Sequence, residues 1–195
     1  MSPGIGPAAG LDGRLRCPWA GAAADYCDYH DNEWGIPVHG EAALFERLSL
    51  EAFQSGLSWL TILRKRDAFR RAFAGFRPAA VAAFTDEDIA RLLADPQIIR
   101  NRAKIVATVR NARVITQLSE DLDTLLWSYA PDPAARTAPR TMPEVPTRTS
   151  ESEAMAVALR RRGFTFVGPV TCHALMQATG MVDDHLVGCF RRTTG

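Results

Sequence analysis

The stretch that decides the fold reads EAFQSGLSWLTILRKR and occupies residues 51–66. Its apolar residues recur at helical spacing, which predicts one buried helix over the whole stretch. The other side of that helix is a narrow polar stripe with a single charge, bordered by Trp59: Glu51, Gln54, Ser55 and Ser58. Faces in contact with water are ordinarily rich in Lys and Glu, so this stripe indicates a small pocket that is partly shielded from water. An amphipathic helix whose polar side simply faces water fits the pattern equally well.

The composition indicates a globular protein and gives no sign of a highly charged partner. Of the 195 residues 47% are hydrophobic, enough for the core of one domain or of two small ones. The 23 basic and 22 acidic residues nearly cancel, so a nucleic-acid-binding surface would need a local cluster of cations. No run reaches the ~18 apolar residues of a membrane span, and the N-terminus lacks the pattern of a secretion signal. We therefore expect a cytoplasmic protein without a membrane partner.

The four cysteines are candidates for metal binding, because disulfides are rare in a reducing compartment. Twelve residues separate Cys17 from His30, and three separate His185 from Cys189. Such a Cys2His2 set fills the tetrahedral shell of zinc and leaves no position for an activated water. We therefore predict one structural zinc ion that joins the N-terminal loop to the C-terminal segment. Other available ligands remain alternatives at this point: Cys27, Cys172, His39 and His173.

Aromatic residues with polar edges are concentrated near the N-terminus. Residues 25–35, DYCDYHDNEWG, are dense in side chains that form sites and poor in side chains that fill cores, and we interpret them as a structured loop. Trp19, Tyr26, Tyr29 and Trp34 are four of the seven Trp and Tyr residues in the chain. Aromatic faces with polar edges suit a flat ligand, although each of these residues alone could equally be packing.

The positions of Gly and Pro and the lack of strand patterns predict an all-α fold. Residues 1–13 contain Gly and Pro without any period and are predicted to be a disordered tail, which leaves residues 14–195 as one domain. Five prolines in residues 130–149 predict a long surface loop between two helical parts. No β-rich run and no internal repeat is visible.

Residues 86–118 predict a helix, a tight hairpin and a second helix. A capping box at Thr85 opens the first helix, and Asp95-Pro96 ends it before the second begins near Arg102. Hairpin amides and a helix N-terminus can bind a phosphate, and three cations lie at the same place: Arg100, Arg102 and Lys104. We predict that these cations contact a DNA backbone, although a solvated helix face has the same spacing.

Taken in order, the motifs resemble the 3-methyladenine DNA glycosylase I family of the helix-hairpin-helix superfamily. The resemblance covers about residues 16–190 through the following segments: Arg16-Cys17-x-Trp19, YHDNEWG at 29–35, ExxQxGLSW at 51–59, Ile98-Ile99-Arg100, RGFxFVG at 162–168 and DHxxGC at 184–189. It implies the same four zinc ligands that the spacing selects. It also implies a pocket for the lesion base, formed by Tyr26, Tyr29, Trp34, Glu51 and Trp59, with Glu51 as the catalytic residue.

The function implied by this resemblance is excision of 3-methyladenine from alkylated double-stranded DNA. Such an enzyme flips the nucleotide out and hydrolyses the N-glycosidic bond. No lysine nucleophile occupies a motif position, so we expect a monofunctional glycosylase, acting as a monomer, that leaves an abasic site and releases the free base.

Two features depart from the family pattern. Ser55 stands where the family usually has alanine, and the hairpin lacks the glycines common in the superfamily. Asp121 and Asp123 fall near the position of the catalytic aspartate of other superfamily members, but this family is thought not to depend on one.

Two other classes of function stay open: a DNA-binding module held together by zinc, and a zinc hydrolase. The hydrolase is disfavoured because four protein ligands close the metal shell and no His-Glu-x-x-His stretch exists.

Overall fold

The computed structural model describes residues 6–193, and over this range the fold is mostly helical, as predicted. Short 3-10 turns and one two-stranded sheet complete it. In chain order the strands and helices are β1 (Ala8–Ala9), β2 (Leu15–Arg16), α1 (Ala24–Asn32), α2 (Glu41–Gln54), α3 (Trp59–Ala72), α4 (Pro78–Ala82), α5 (Asp86–Ala94), α6 (Arg102–Ile115), α7 (Leu122–Trp127), α8 (Ser150–Arg161) and α9 (Pro169–Ala178). None of the helices in the described range is long and apolar enough to cross a membrane.

Helix α2 lies at the centre and packs against α3, α6, α7 and α9. Eight of its fourteen residues are buried, among them Leu44, Phe45 and Leu48 at helical spacing. Phenylalanines extend this core, since the ring of Phe53 lies 4.6 Å from that of Phe69 on α3. Burial of such side chains contributes roughly 1.5–3 kcal/mol each, so α2 is the element on which the neighbouring helices are positioned.

The predicted single helix over residues 51–66 is two helices, and the prediction is wrong there. Helix α2 ends at Gln54 and α3 begins at Trp59. Gly56 adopts φ +82°, a conformation that favours glycine, and Ser58 caps α3 by accepting a hydrogen bond from the amide of Thr61 at 3.3 Å. The turn moves Leu57 out of the core, where it is 41% exposed.

The N-terminal segment is also more ordered than predicted. Strand β1 pairs antiparallel with β2, with Ala8 opposite Arg16, so the predicted disorder of residues 1–13 is wrong for this part. Residues 1–5 lie outside the described residues. Arg16 holds the hairpin in place, because its guanidinium donates to Asp12 at 2.7 Å and to Asp31 on α1 at 2.7 Å. A tail without a helical or strand period can still be fixed by such ion pairs.

Residues 25–35 were predicted as a loop, whereas most of them form helix α1. Helical spacing places Tyr26 and Tyr29 one turn apart and His30 beside them. The chain turns away after this helix at Gly35, which adopts φ +78°. In the predicted helix-hairpin-helix segment, the capping box at Thr85 is present and α6 begins at Arg102 as expected, but α6 ends at Ile115, three residues earlier than predicted.

Candidate active site and metal centre

A cavity of about 200 Å³ opens between α1, the end of α2, the start of α3 and α9. It is smaller than the ~300–1,000 Å³ of pockets for drug-sized ligands, which suits a ligand of the size of a single base. All five side chains predicted to bind a base line it: Tyr26, Tyr29, Trp34, Glu51 and Trp59. Seven further residues complete the lining: Trp19, Gln54, Met142, Val145, Ala174, Gln177 and Asp184.

Aromatic rings form much of the cavity wall. The ring of Trp19 lies 4.9 Å from that of Tyr26 and meets the ring of Trp34 edge-on at 5.1 Å. Tyr29 and Trp59 form a further pair at 5.2 Å. Trp59 is 7% exposed, and its indole N–H is buried without a hydrogen-bond partner among the described residues. These π faces can bind a flat cation, while the unpaired N–H is available to an acceptor on a ligand.

Among the described residues that line the cavity, two are acidic, and of these Glu51 comes from a helix. It lies in the last turn of α2 and is only 6% exposed. Burial raises its pKa to about 8, and the charge of Arg47, one turn earlier on α2, opposes that rise. Arg47 is itself tied to Glu33 by a hydrogen bond of 2.9 Å, so it only partly compensates the buried carboxylate. The carboxyl group is therefore mainly neutral at pH 7 unless a cation approaches it.

The tyrosines of the cavity remain protonated. Burial raises the pKa of Tyr26, and it raises that of Tyr29 well above the ordinary value because Tyr29 is 3% exposed. The charge of Glu51 acts in the same direction on both phenols. The cavity thus combines phenol donors with a carboxyl group that can accept hydrogen bonds.

A second buried carboxylate, that of Asp184, also lines the cavity. It accepts hydrogen bonds from Gln177 at 2.9 Å, from His173 at 3.0 Å and from Arg136. Burial opposes its ionisation, yet these hydrogen bonds and the charge of Arg136 hold the pKa of Asp184 below its ordinary value. The sequence offered a signal for Gln177, which is a single amide on an apolar helix, but none for Met142 and Val145 in the Pro-rich loop.

Three of the four predicted metal ligands lie together. The donor atoms of Cys17, His30 and Cys189 are all within 4.8 Å of one another, and all three residues are buried. Nε2 of His30 lies 3.5 Å from Sγ of Cys189, while its Nδ1 is hydrogen-bonded to Asp31 at 2.8 Å. A carboxylate on Nδ1 fixes the proton there and leaves the Nε2 lone pair for an ion.

His185, the fourth predicted ligand, is adjacent but outside that compact group. Its ring centroid lies 5.1 Å from the ring of His30, and its Nδ1 is hydrogen-bonded to Asp183 at 2.9 Å. Its Nε2 is buried and has no hydrogen-bond partner within residues 6–193. With this buried, unpaired imidazole nitrogen next to the ring of His30, the four side chains supply the donor types from which a zinc site would be built. The glycine at position 35 gives this ring room, since a Cβ there would be 2.6 Å from Cε1 of His185.

Three of the four alternative ligands have other surroundings. His39 is hydrogen-bonded to Asp123 at 2.9 Å and His173 to Asp184, whereas Cys172 is fully buried in the core of α9. Asp121 and Asp123, the residues near the position of the superfamily's catalytic aspartate, also have hydrogen-bond partners within the protein. Asp121 caps α7, and Asp123 binds His39.

The predicted cation cluster divides into two parts. Arg100 and Arg102 are exposed at the start of α6. Lys104 is 7% exposed, and its Nζ donates to the carbonyl oxygens of Phe53 and Ser55 at 2.8 and 2.6 Å. The prediction that Lys104 contacts DNA is therefore wrong, because its ammonium group satisfies carbonyls at the C-terminal end of α2.

Comparisons with known proteins agree with this arrangement. The family model for methyladenine glycosylase matches residues 19–192. DNA-3-methyladenine glycosylase 1 of Escherichia coli is 45% identical over 177 residues, which cover 89% of this chain and 95% of that protein. A crystal structure of 3-methyladenine DNA glycosylase I is 42% identical with a TM-score of 0.85, covering 91% of this chain and all of that one. A structure of the Staphylococcus aureus enzyme that describes recognition of 3-methyladenine is 34% identical with a TM-score of 0.86, covering 92% and 97%. The chain therefore belongs to the methyladenine glycosylase family, whose members are enzymes that hydrolyse N-glycosyl bonds.

Proposed function

We propose that this protein is a monofunctional DNA N-glycosylase that excises 3-methyladenine from alkylated double-stranded DNA and leaves an abasic site. The observation that carries the proposal is the cavity itself, where Glu51 is buried among the rings of Tyr26, Tyr29, Trp34 and Trp59. The relatives are named for this activity, and one of their structures describes recognition of the same base.

The cavity is suited to a methylated cationic base. Methylation of adenine at N3 places a positive charge on the base, and π faces attract a desolvated cation by ~2 kcal/mol. The same charge favours ionisation of Glu51, whose pKa is raised to about 8 by burial. Entry of the cation should therefore release a proton and form a charge-assisted hydrogen bond with the base. Normal adenine has neither the charge nor the methyl group and gains neither interaction.

The chemistry requires little acid catalysis. A cationic purine is already a good leaving group, so what remains is to extrude the nucleotide, hold the base, and admit water to the sugar as it becomes oxocarbenium-like. Glu51 acts in this scheme by stabilising the extruded base. Among residues 6–193 no lysine lines the cavity, which is consistent with hydrolysis without a covalent intermediate.

The proposed contact with duplex DNA lies at the helix-hairpin-helix segment, α5 to α6. Arg100 and Arg102 are exposed beside the N-terminus of α6, which Asn101 caps by accepting a hydrogen bond from the amide of Lys104 at 3.2 Å. Cations beside a helix N-terminus suit phosphate binding without base readout. We assign the segment to the helix-hairpin-helix superfamily on this arrangement, and we expect the enzyme to act as a monomer in the cytoplasm.

One structural zinc ion is part of the proposal. Cys17, His30, His185 and Cys189 would hold it, and with four protein ligands it would supply folding energy and no activated water. The hydrogen bond from the thiol of Cys17 lowers the pKa of Cys189, so one thiolate is already favoured at this position. The site would fasten the segment after β2 to the segment after α9.

Chromatography of bases released from methylated duplex DNA tests the proposed function. The wild-type protein should release 3-methyladenine, and the DNA should remain uncut until alkali cleaves the abasic sites. A protein that binds DNA through zinc-stabilised structure alone would release no base, and that result would reject the proposal. Strand cleavage without alkali would reject its monofunctional part.

A further inference from the structure

The orientation of one amide in the cavity wall, that of Gln177 on α9, is fixed by its neighbour. Its Nε2 donates to Oδ2 of Asp184 at 2.9 Å. An ionised carboxylate can only accept hydrogen bonds, so the atom of Gln177 that faces it is the nitrogen. The carbonyl atom Oε1 is then left for a ligand, since it has no hydrogen-bond partner within residues 6–193 and the residue lines the cavity.

Both oxygens of Asp184 are already engaged by donors from the protein. Its side chain is buried, its Oδ1 accepts from Arg136, and its Oδ2 accepts from His173 at 3.0 Å as well as from Gln177. The guanidinium group of Arg136 has hydrogen-bond donors only, so the atom of residue 184 that faces it must be an acceptor. The four side chains therefore form a chain of hydrogen bonds that ends at the free oxygen of Gln177.

We propose that Gln177 is a specificity-determining residue that accepts a hydrogen bond from the exocyclic amine of the extruded base, and that Asp184 is the positioning residue that orients it. This inference rests on the proposed function. An exocyclic amine has two N–H donors, one for Glu51 and one for Gln177. A purine with a carbonyl oxygen at the same position would bring two acceptors together with no proton between them, which a partly dry cavity penalises. The site thus selects 6-amino over 6-oxo purines.

The first test removes the acceptor. Dissociation constants are measured by tryptophan fluorescence for free 3-methyladenine and free 3-methylhypoxanthine, which differ chiefly in an amine or a carbonyl oxygen at position 6. Gln177→Leu should weaken binding of 3-methyladenine roughly two- to tenfold and leave that of 3-methylhypoxanthine unchanged or stronger. Gln117→Leu, an exposed glutamine outside the cavity, is the matched control and should change neither constant.

The second test reverses the orientation. In Asp184→Asn the oxygen of the new amide must face Arg136, so its NH2 group faces both Gln177 and His173, whose Nε2 would then be the acceptor. The amide of Gln177 would then rotate to accept that hydrogen bond and present its own NH2 group to the cavity. The preference should shift toward 3-methylhypoxanthine, whereas a merely structural role for Asp184 would weaken binding of both bases alike. Zinc content and melting temperature are measured in parallel because the next residue, His185, is a proposed ligand.

Different results would overturn the role of Gln177 and the proposed glycosylase function. Release of 3-methyladenine from methylated DNA by the wild-type protein, together with an unchanged ratio of the two dissociation constants in Gln177→Leu, would overturn the role of Gln177 and leave the proposed function standing. Absence of any released base would overturn the proposed function instead. If Asp184→Asn does not fold, the ratio measured for Gln177→Leu still decides the matter.

Discussion

The burial of Glu51 predicts that this residue destabilises the protein in the pH range where the enzyme works. Burial raises the pKa of the folded-state carboxyl group to about 8, compared with an ordinary value of 4.5. Between these values the folded protein keeps a proton that the unfolded chain has lost. The stability that Glu51 contributes is therefore fully present below pH 4.5 and is lost as the pH rises toward 8. Glu51→Gln cannot ionise and should not show this loss.

The size of the effect follows from one proton. A difference of one bound proton changes the free energy of unfolding by about 1.4 kcal/mol per pH unit. Between pH 5 and pH 7.5 the wild-type protein should therefore lose about 3 kcal/mol relative to Glu51→Gln. For a protein of this length that corresponds to a difference in melting temperature of ~6–12 °C.

Urea denaturation of both proteins at several pH values, with equal excess zinc, measures this difference. All other titrating groups are shared, so their contributions cancel when the two free energies are subtracted. Glu41→Gln, at an exposed position in the first turn of α2, is the control and should give a profile parallel to that of the wild type. A parallel profile for Glu51→Gln would refute the reasoning, because it would mean that the carboxyl group titrates as it does in water.

The same variant should lose function while it gains stability. Glu51→Gln keeps one acceptor oxygen but cannot carry the negative charge, so a charge-assisted hydrogen bond worth ~1.5–3 kcal/mol is lost. Binding and excision of 3-methyladenine should fall roughly ten- to a hundredfold, while affinity for undamaged duplex stays close to that of the wild type. Excision persists because the leaving group is already activated.

The other predictions concern the metal, the DNA contact and the backbone. Cys189→Ser should lower zinc content and melting temperature together, whereas Cys27→Ser should lower neither, as measured by metal analysis and thermal denaturation. Arg102→Gln should make the salt dependence of duplex binding shallower by roughly one unit of slope, whereas Lys104→Met should leave the slope unchanged and lower stability, because its carbonyl acceptors lie within the protein. Gly35→Ala should reduce zinc content, since the added Cβ would lie 2.6 Å from the ring of His185 in a backbone conformation that disfavours alanine; normal metal content there would contradict this placement.

The break between α2 and α3 shows why hydrophobic periodicity predicted a single helix here. The four residues of the turn, 55–58, correspond to nearly one turn of helix, so the apolar period continues across the break as if the helix did. The local signals were nevertheless present, because Gly56 is suited to a helix end and Ser58 to a helix start. The error did not affect the site prediction, since Glu51 and Trp59 reach the same cavity from the two helices.

The sequence does not show the direction in which each side chain of the cation cluster points, and this limits the prediction of DNA contacts. Arg100, Arg102 and Lys104 are equivalent by spacing and charge, but only the structure shows that Lys104 turns inward to the carbonyls of Phe53 and Ser55. Likewise, Met142 and Val145 enter the cavity from a loop whose path depends on tertiary packing. Local sequence can identify residue types suited to a site, but not the direction in which a helix or loop presents them.

Helix α1 explains how the proposed zinc centre would matter for a cavity that does not contain it. Tyr26 and Tyr29 face the cavity from this helix, while the next residue, His30, faces the two thiols. Beyond the helix, the ring of Trp34 lines the cavity and lies 4.5 Å from the ring of His185. The aromatic wall and the predicted ligands therefore share one helix and several ring-to-ring contacts, among them that of Trp19 with His30 at 5.0 Å. Because the rings that would hold a base are positioned by residues adjacent to the predicted ligands, we expect the geometry of the cavity to depend on the order of the proposed zinc centre.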